Sequence, residues 1–172
     1  DGVAEFDGLA WASAGNYTLT ATDSSVNISS VMSSIIAVQP ASPTHMVFTE
    51  QPVSAVAGDS IEVMVAAEDD QGDIVTNVAD YIYVSDSTGA IGTYMQMVDG
   101  VATFNLTITE AGTDSLTAND WYGSGLPSVE SQDFNINPGA PASLIFENEP
   151  VPTQGGIIDT VVGVVDAYGN LV

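Results

Sequence analysis

The sequence contains no lysine and no arginine, although 23 of its 172 residues are aspartate or glutamate, which gives a formal net charge of −23 at pH 7. Nucleic acid is excluded as a partner, because neutralising phosphates requires basic side chains. Anionic membrane surfaces are disfavoured for the same reason. No salt bridge between side chains is expected, so apolar burial and backbone hydrogen bonds must stabilise the fold. Each carboxylate should be solvated, accept hydrogen bonds or bind a cation.

Cysteine is also absent, which excludes disulfides, thiolate metal sites, iron–sulfur clusters and c-type haem attachment. Histidine occurs once, at His45, so neither a His-based triad nor a multi-His zinc site can form. We expect this histidine to lie on an edge strand without a special role. No signal peptide is visible and no apolar run approaches the length of a membrane-spanning helix. We therefore expect no direct membrane insertion by this chain, with any signal or anchor outside it.

What the sequence does contain is internal similarity at a spacing of 97 or 98 residues, which is typical of repeat architectures. The matching segments are residues 1–6 with 99–104, Ala14-Gly15 with Ala111-Gly112, Pro43 to Phe48 with Pro141 to Phe146, and residues 69–75 with 166–172. This repetition predicts three units. Residues 1–39 form the C-terminal half of one repeat, residues 40–139 a complete repeat, and residues 140–172 the N-terminal half of a further repeat.

Short strands are predicted throughout the complete repeat. Ile61, Val63, Val65 and Ala67 recur at every second position, which indicates a half-buried strand, and Asp99-Gly100 between two apolar runs is a strong hairpin signal. No segment has helical periodicity of useful length. The predicted strands are Thr44 to Glu50, Ser60 to Glu68, Tyr81 to Ser85, Tyr94 to Val98, Val101 to Thr109, Asp114 to Ala118 and Val129 to Ile136.

Several short, turn-bounded strands in about 95 residues indicate an all-β fold, an immunoglobulin-like β-sandwich repeated in tandem. Its predicted core consists of apolar residues from most of these strands, namely Val47, Ile61, Val63, Val65, Phe104, Leu106, Leu116 and Phe134.

Four repeated motifs carry a resemblance to a known family. They are Pro-x-x-Met/Leu-x-Phe from Pro43 and Pro141, Asp-x-x-Gly-Asp/Asn from Asp69 and Asp166, Asp-Gly-Val-Ala-x-Phe from Asp1 and Asp99, and Ala-Gly before a Leu-Thr-Ala strand. The chain resembles the immunoglobulin-like repeats of large bacterial and archaeal surface proteins, which are related in pattern to invasin and intimin repeats. The resemblance implies secretion, tandem arrangement and no catalysis. Members of that family usually contain some Lys and Arg, so their absence here is a departure.

The richest carboxylate cluster is Glu68, Asp69, Asp70 and Asp73, where the second strand of the repeat passes into a loop. Several oxygen ligands on a flexible loop suit Ca²⁺, so calcium is the one cofactor that the sequence suggests. The alternative is a turn in which the Asp69 side chain accepts backbone N–H groups. We favour the turn, because the third unit keeps the turn pattern but has Ala167 in place of Asp70.

Trp121 and Tyr122 form the second candidate site, because an aromatic loop tip can stack on a sugar ring or insert into a neighbouring subunit. The alternative, which we favour, is that Trp121 covers the end of its own core. Asn16, Asn27 and Asn105 match the N-glycosylation pattern. Their modification depends on the machinery of the host.

Nothing in the sequence singles out a catalytic carboxylate pair, so we expect no enzymatic activity. The preferred interpretation is a structural repeat of an extracellular cell-surface protein or filament, a building block of a fibre or stalk. Its partners would be copies of itself or neighbouring repeats in a polymer, with strand complementation between chains as one way to join half-repeats. The alternative is an adhesin module that binds calcium or carbohydrate, which would add a glycan to the partners.

Overall fold

The computed structural model describes residues 2–24, 28–123, 125–150, 155 and 160–172. Every regular element in these residues is a β-strand, and no described segment forms a helix able to cross a membrane. The N-terminal segment (residues 1–39) contains β1 (Gly15–Tyr17), β2 (Thr20–Ala21), β3 (Val31–Met32) and β4 (Ile36–Val38). The C-terminal segment (residues 140–172) contains β15 (Ser143–Phe146) and β16 (Val162–Val165).

The central segment (residues 40–139) contains ten strands. They are β5 (His45–Glu50), β6 (Ala55–Val56), β7 (Ser60–Glu68), β8 (Tyr81–Asp86), β9 (Gly92–Gln96), β10 (Val101–Thr107), β11 (Gly112–Asp114), β12 (Leu116–Tyr122), β13 (Val129–Glu130) and β14 (Phe134–Asn137). One sheet has the order β10-β7-β5 and a second the order β13-β12-β8-β9, both antiparallel. A third joins β11, β14 and β6, with β14 and β6 parallel. The chain is an all-β protein with an immunoglobulin-like sandwich, as the sequence predicts.

The core of the central segment lies between the apolar faces of these sheets. Strand β7 contributes Ile61, Val63 and Val65, which its strict alternation turns to one side. Phe104 on β10 lies opposite Val63 and is almost fully buried. The prediction that Val47 belongs to the core is wrong, because Val47 is half-buried while its neighbours Met46 and Phe48 face the core.

Two predicted strands are each divided in the structure. The run from Asp114 to Ala118 separates at Ser115 into β11 and β12, which belong to different sheets. The run from Val129 to Ile136 separates in the same way into β13 and β14. Ser131 lies at this second break, where its hydroxyl accepts the N–H of Leu116. Strands that pass from one sheet to the other bend at such corners, and an apolar pattern alone does not reveal the bend.

The hairpin between β9 and β10 turns at Asp99-Gly100, as predicted. Both residues have positive φ, 51° and 78°, which is the conformation of a type I′ turn. A side chain at Gly100 would collide with the backbone of Val75, since a Cβ there would lie 2.5 Å from the Val75 carbonyl oxygen. This glycine is therefore required both by its φ and by the close approach of a neighbouring loop.

Apolar residues of the two outer segments are exposed where their sequence counterparts in the central segment are buried. Phe6 is 72% exposed and Phe146 is 53% exposed, whereas Phe104 is 1% and Phe48 is 7% exposed. The outer segments contain only paired strands, β1 with β4, β2 with β3 and β15 with β16, among the residues that the structure describes. Their core-type faces are therefore not covered within these residues.

Candidate functional site

The first candidate site is a hydrogen-bond network centred on Asp69, directly after β7. One carboxylate oxygen accepts the backbone N–H groups of Gln71 (2.9 Å) and Asp73 (3.0 Å), which closes the loop into the turn that the sequence predicts. The other oxygen accepts the N–H of Ala41 at 2.8 Å. Since Ala41 lies between β4 and β5, Asp69 fixes the connection between the N-terminal and central segments.

Asp73 extends this network into the N-terminal segment. Its Oδ2 accepts the N–H of Ala14, which immediately precedes β1. A single loop of the central segment therefore holds two backbone amides, one in the connection and one in the preceding segment. We call Asp69, Asp73, Ala14 and Ala41 the first junction network.

The same arrangement occurs between the central and C-terminal segments. Oδ1 of Asp166 accepts the N–H groups of Tyr168 and Asn170, both at 2.9 Å, and Oδ2 accepts that of Gly139 at 2.8 Å. Asn170 Oδ1 accepts the N–H of Ala111 at 2.8 Å. These residues stand 97 or 98 positions after their counterparts. We call Asp166, Asn170, Ala111 and Gly139 the second junction network.

The two networks differ in one respect. In the second, Asn170 Nδ2 donates to the carbonyl oxygen of Thr109 and to Asp166 Oδ2, both at 2.8 Å. The first network has Asp73 at that position, and an ionised carboxylate has no proton to donate. Tyr168 adds a further contact at the second junction, with Gly58. Its hydroxyl lies so close to Gly58 that a Cβ placed on this glycine would be only 2.2 Å away.

The hydrogen bonds of both networks favour ionised carboxylates. The pKa of Asp69 is lowered below 3.8, chiefly by the N–H of Ala41 and next by that of Asp73, against an opposing effect of burial. For Asp166, burial acts to raise the pKa, but bonds from the Asn170 side chain and from backbone N–H groups outweigh it and lower the pKa to about 2. These groups are therefore charged acceptors at neutral pH and are unsuited to proton transfer.

The buried carboxylates of Asp86 and Asp114 also accept hydrogen bonds from backbone N–H groups and hydroxyls. Asp114 accepts the N–H and hydroxyl groups of Ser87, and Asp86 accepts the N–H of Ile91 and the hydroxyl of Thr88. In a chain without Lys or Arg, N–H and O–H donors are what compensates the burial of a negative charge.

The other members of the predicted calcium cluster lie apart from this network. Asp70 is exposed, and Glu68 Oε2 lies 3.6 Å from His45 Nε2. The expectation that no salt bridge forms thus needs one correction, since these two groups form an ion pair when His45 is protonated. No three His, Asp or Glu side chains converge as a metal site in the described part of the chain. Calcium binding by Glu68, Asp69, Asp70 and Asp73 stays a prediction.

The second candidate site is an aromatic face on the sheet formed by β12, β8 and β9. Trp121 is 56% exposed and lies at an irregularity in the pairing of β12 with β8, so the prediction that it covers the end of its own core is wrong. Its ring centroid is 5.3 Å from that of Tyr83 and 6.4 Å from that of Tyr122. Tyr81, Tyr83 and Tyr94 also belong to this face, although none of them is a predicted site residue. The signal was the alternation of Tyr81 and Tyr83, which puts both on one face of β8.

The glycosylation candidates lie in different settings. Asn16 on β1 and Asn105 on β10 are exposed. Asn27 lies outside the described residues. Modification of all three stays a prediction.

Comparison with known proteins gives matches among solved structures alone, since no protein-family model and no curated protein matches the chain. The FdeC adhesin of Escherichia coli is 22% identical, with a TM-score of 0.45, over 78% of this chain and 45% of its own. InvD of Yersinia pseudotuberculosis is 17% identical, with a TM-score of 0.48, over 92% and 52%. The S-layer protein rSbsC is 18% identical, with a TM-score of 0.38, over 93% and 21%. The chain thus spans about half the length of the first two proteins.

Proposed function

We propose that this chain is a non-catalytic structural part of an extracellular cell-surface protein or filament, in which successive immunoglobulin-like repeats are joined by the junction networks. The observation that carries the proposal is the recurrence of one set of bonds at two places. In each, a buried Asp accepts a backbone N–H of the connection, and a second side chain accepts the N–H of an Ala in the preceding segment. A sequence motif kept at two junctions is what a repeated connector requires.

The networks would restrict motion between neighbouring repeats. Domains joined by short connections move relative to one another unless their interface is extensive. Hydrogen bonds to an ionised acceptor are about twice as strong as neutral ones, and those at Asp69 and Asp166 are shielded from water because both side chains are buried. Each junction has one such bond to the connection and a second side-chain bond to the preceding segment, and both bonds would oppose motion between the repeats. A string of repeats joined in this way would act as a stiff spacer.

An extracellular setting is supported by the composition. The chain has no Lys or Arg and therefore no cleavage site for trypsin-like proteases. With a net charge of −23, copies repel one another at low salt, so lateral bundling should depend on salt, divalent ions or low pH.

The exposed apolar faces of the outer segments need a covering partner in the assembled protein. We propose that complementary half-repeats provide it, either from the same polypeptide or by strand addition from a second copy. A second copy alone would leave the core incomplete, because counterparts of Ile82, Val84 and Met97 are absent from both outer segments. Cross-linking between residues 1–39 of one copy and residues 140–172 of another would support the inter-chain version, and its absence in assembled filaments would refute it.

The test of the junction proposal compares Asp69→Ala with Asp70→Ala in the full chain. Both substitutions remove one negative charge from adjacent positions, but only Asp69 is buried and bonded across the junction. Asp69→Ala should accelerate hydrogen exchange at the Ala41 amide and broaden the distribution of shapes seen in small-angle scattering, while Asp70→Ala should change neither. Equal behaviour of the two variants would refute the proposed role of the network.

A further inference from the structure

The outer face of the β12-β8-β9 sheet carries five aromatic side chains. Tyr83 on β8 lies opposite Tyr94 on β9, and Tyr122 on β12 lies opposite Tyr81 on β8. All but Tyr83 are exposed. The outward face of an antiparallel sandwich is ordinarily polar, so a contiguous aromatic patch there indicates a binding surface.

The rings surround a hollow and do not form a flat platform. Tyr83 is inclined by 37° to Tyr94 and by 43° to Trp121, and Trp121 lies at 77° to Tyr122. Four of the side chains, Tyr81, Tyr94, Trp121 and Tyr122, line a cavity of about 440 Å³. Inclined ring faces suit a compact guest that several rings contact at once.

The charge of the chain favours a positive guest. Aromatic ring faces attract cations, Trp most strongly, and the chain has no Lys or Arg of its own to occupy them. The Asp80 carboxylate lies close to this face. It contacts Gly123, which directly follows Tyr122, so closely that a Cβ placed on Gly123 would lie 2.3 and 2.4 Å from its two oxygens. The net charge of −23 adds long-range attraction.

We propose that this aromatic face binds Lys or Arg side chains on a basic segment of another protein. A second copy of this chain cannot be the partner, because it has neither residue. The surface would thus give a structural repeat a means of adhesion to a different molecule, independent of the junction networks.

The experiment measures binding of a labelled peptide of alternating Arg and Gly to the full chain by fluorescence anisotropy. A citrulline peptide of the same length is the uncharged control, and a neutral oligosaccharide serves as competitor. Trp121→Leu and Tyr122→Leu keep an apolar side chain and the net charge but remove one π-system each. Tyr17→Leu is the matched control, because Tyr17 contacts Trp11 in the N-terminal segment, away from this face.

We expect the Arg peptide to bind, the citrulline peptide to bind at least tenfold more weakly, and Trp121→Leu to weaken binding by about 3- to 30-fold, while Tyr17→Leu has no effect. Equal binding of the Arg peptide by all variants would show attraction by net charge alone and overturn the proposal. Equal binding of both peptides, or displacement of the Arg peptide by the oligosaccharide, would overturn it in favour of an uncharged ligand. Asp69→Ala should leave this binding unchanged, so that failure here is distinguishable from failure of the junction proposal.

Discussion

The position occupied by Asp73 in one junction and Asn170 in the other predicts opposite effects for reciprocal substitutions. Asn170→Asp removes the Nδ2 donor that bonds to Thr109 and Asp166. It also places a second carboxylate beside Asp166. Asp73→Asn supplies the missing donor to the first network, where Asp69 occupies the position of Asp166 and accepts the corresponding backbone N–H groups at similar distances. We therefore expect the first substitution to weaken its junction and the second to strengthen its own.

The size of the effect follows from the bonds at Asn170. Two hydrogen bonds of 2.8 Å are lost, one to a carboxylate and one to a carbonyl. A hydrogen bond contributes about 0.5–1.5 kcal/mol between neutral groups and more when one partner is charged. Because Asn170 is half-buried, solvent reduces the sum to about 2 kcal/mol. For a chain of 172 residues this corresponds to a fall in Tm of about 4–8 °C.

Thermal melting, monitored by circular dichroism, gives the Tm of both variants. Hydrogen exchange at the Ala111 amide reports on the second junction and that at the Ala14 amide on the first. General charge repulsion would also penalise Asn170→Asp and favour Asp73→Asn. The controls are therefore Asn77→Asp and Asp70→Asn, which make the same charge changes at exposed positions. If each junction variant shifts Tm no more than its control, or if Asp73→Asn destabilises the chain, the reasoning is wrong.

Three further predictions concern acid, the hairpin and calcium. The folded-state pKa of Asp166 is about 2 and that of Asp69 is also lowered from 3.8. The contribution of these two ionised groups to the stability of the junctions is therefore complete above about pH 5 and is lost as the pH falls from about 4 to 2. Amide spectra of Ala41 and Gly139 measure this, and loss already at pH 6 would contradict it. Gly100→Ala should cost about 2–4 kcal/mol in denaturant melts, more than Gly89→Ala, because both have similar positive φ but only Gly100 faces a backbone atom; equal costs would contradict this. Millimolar Ca²⁺ should not raise Tm, and a rise of several degrees would support the predicted calcium site.

The sequence predicts correctly the elements whose conformation depends on neighbouring residues, such as strand β7 and the Asp99-Gly100 turn. The bounds of β7 agree with the prediction because Ile61, Val63 and Val65 recur at every second position and are buried. The Asp99-Gly100 turn needs two positive φ values, and its residues are those that tolerate them. The short strand β6 was missed, since two residues carry no periodicity, and their pairing with β14 joins positions 81 residues apart.

The junction networks could not be predicted from the sequence, although both halves of each network were visible in it. The Asp-x-x-Gly-Asp/Asn motif and the Ala-Gly pair both repeat, but nothing in their spacing shows that they meet. Each contact spans 59 residues and crosses from one segment to the next. Tertiary packing brings them together, whereas the sequence of the loop predicts only its local turn or a calcium site. For a related reason the sequence predicts only Trp121 and Tyr122 of the aromatic face, because the other three rings come from two different strands, β8 and β9.

The lack of basic side chains explains the form that these junctions take. A surface repeat with Lys and Arg can join neighbouring units by ion pairs, whose strength falls as salt rises. In the residues that the structure describes, the buried carboxylates accept hydrogen bonds from backbone N–H groups, from hydroxyls and, at Asp166, from the Asn170 amide. A backbone amide cannot be titrated and keeps its position relative to the strand that carries it. Junctions built from such donors should therefore tolerate changes in salt and, down to the low pKa values of Asp69 and Asp166, changes in pH.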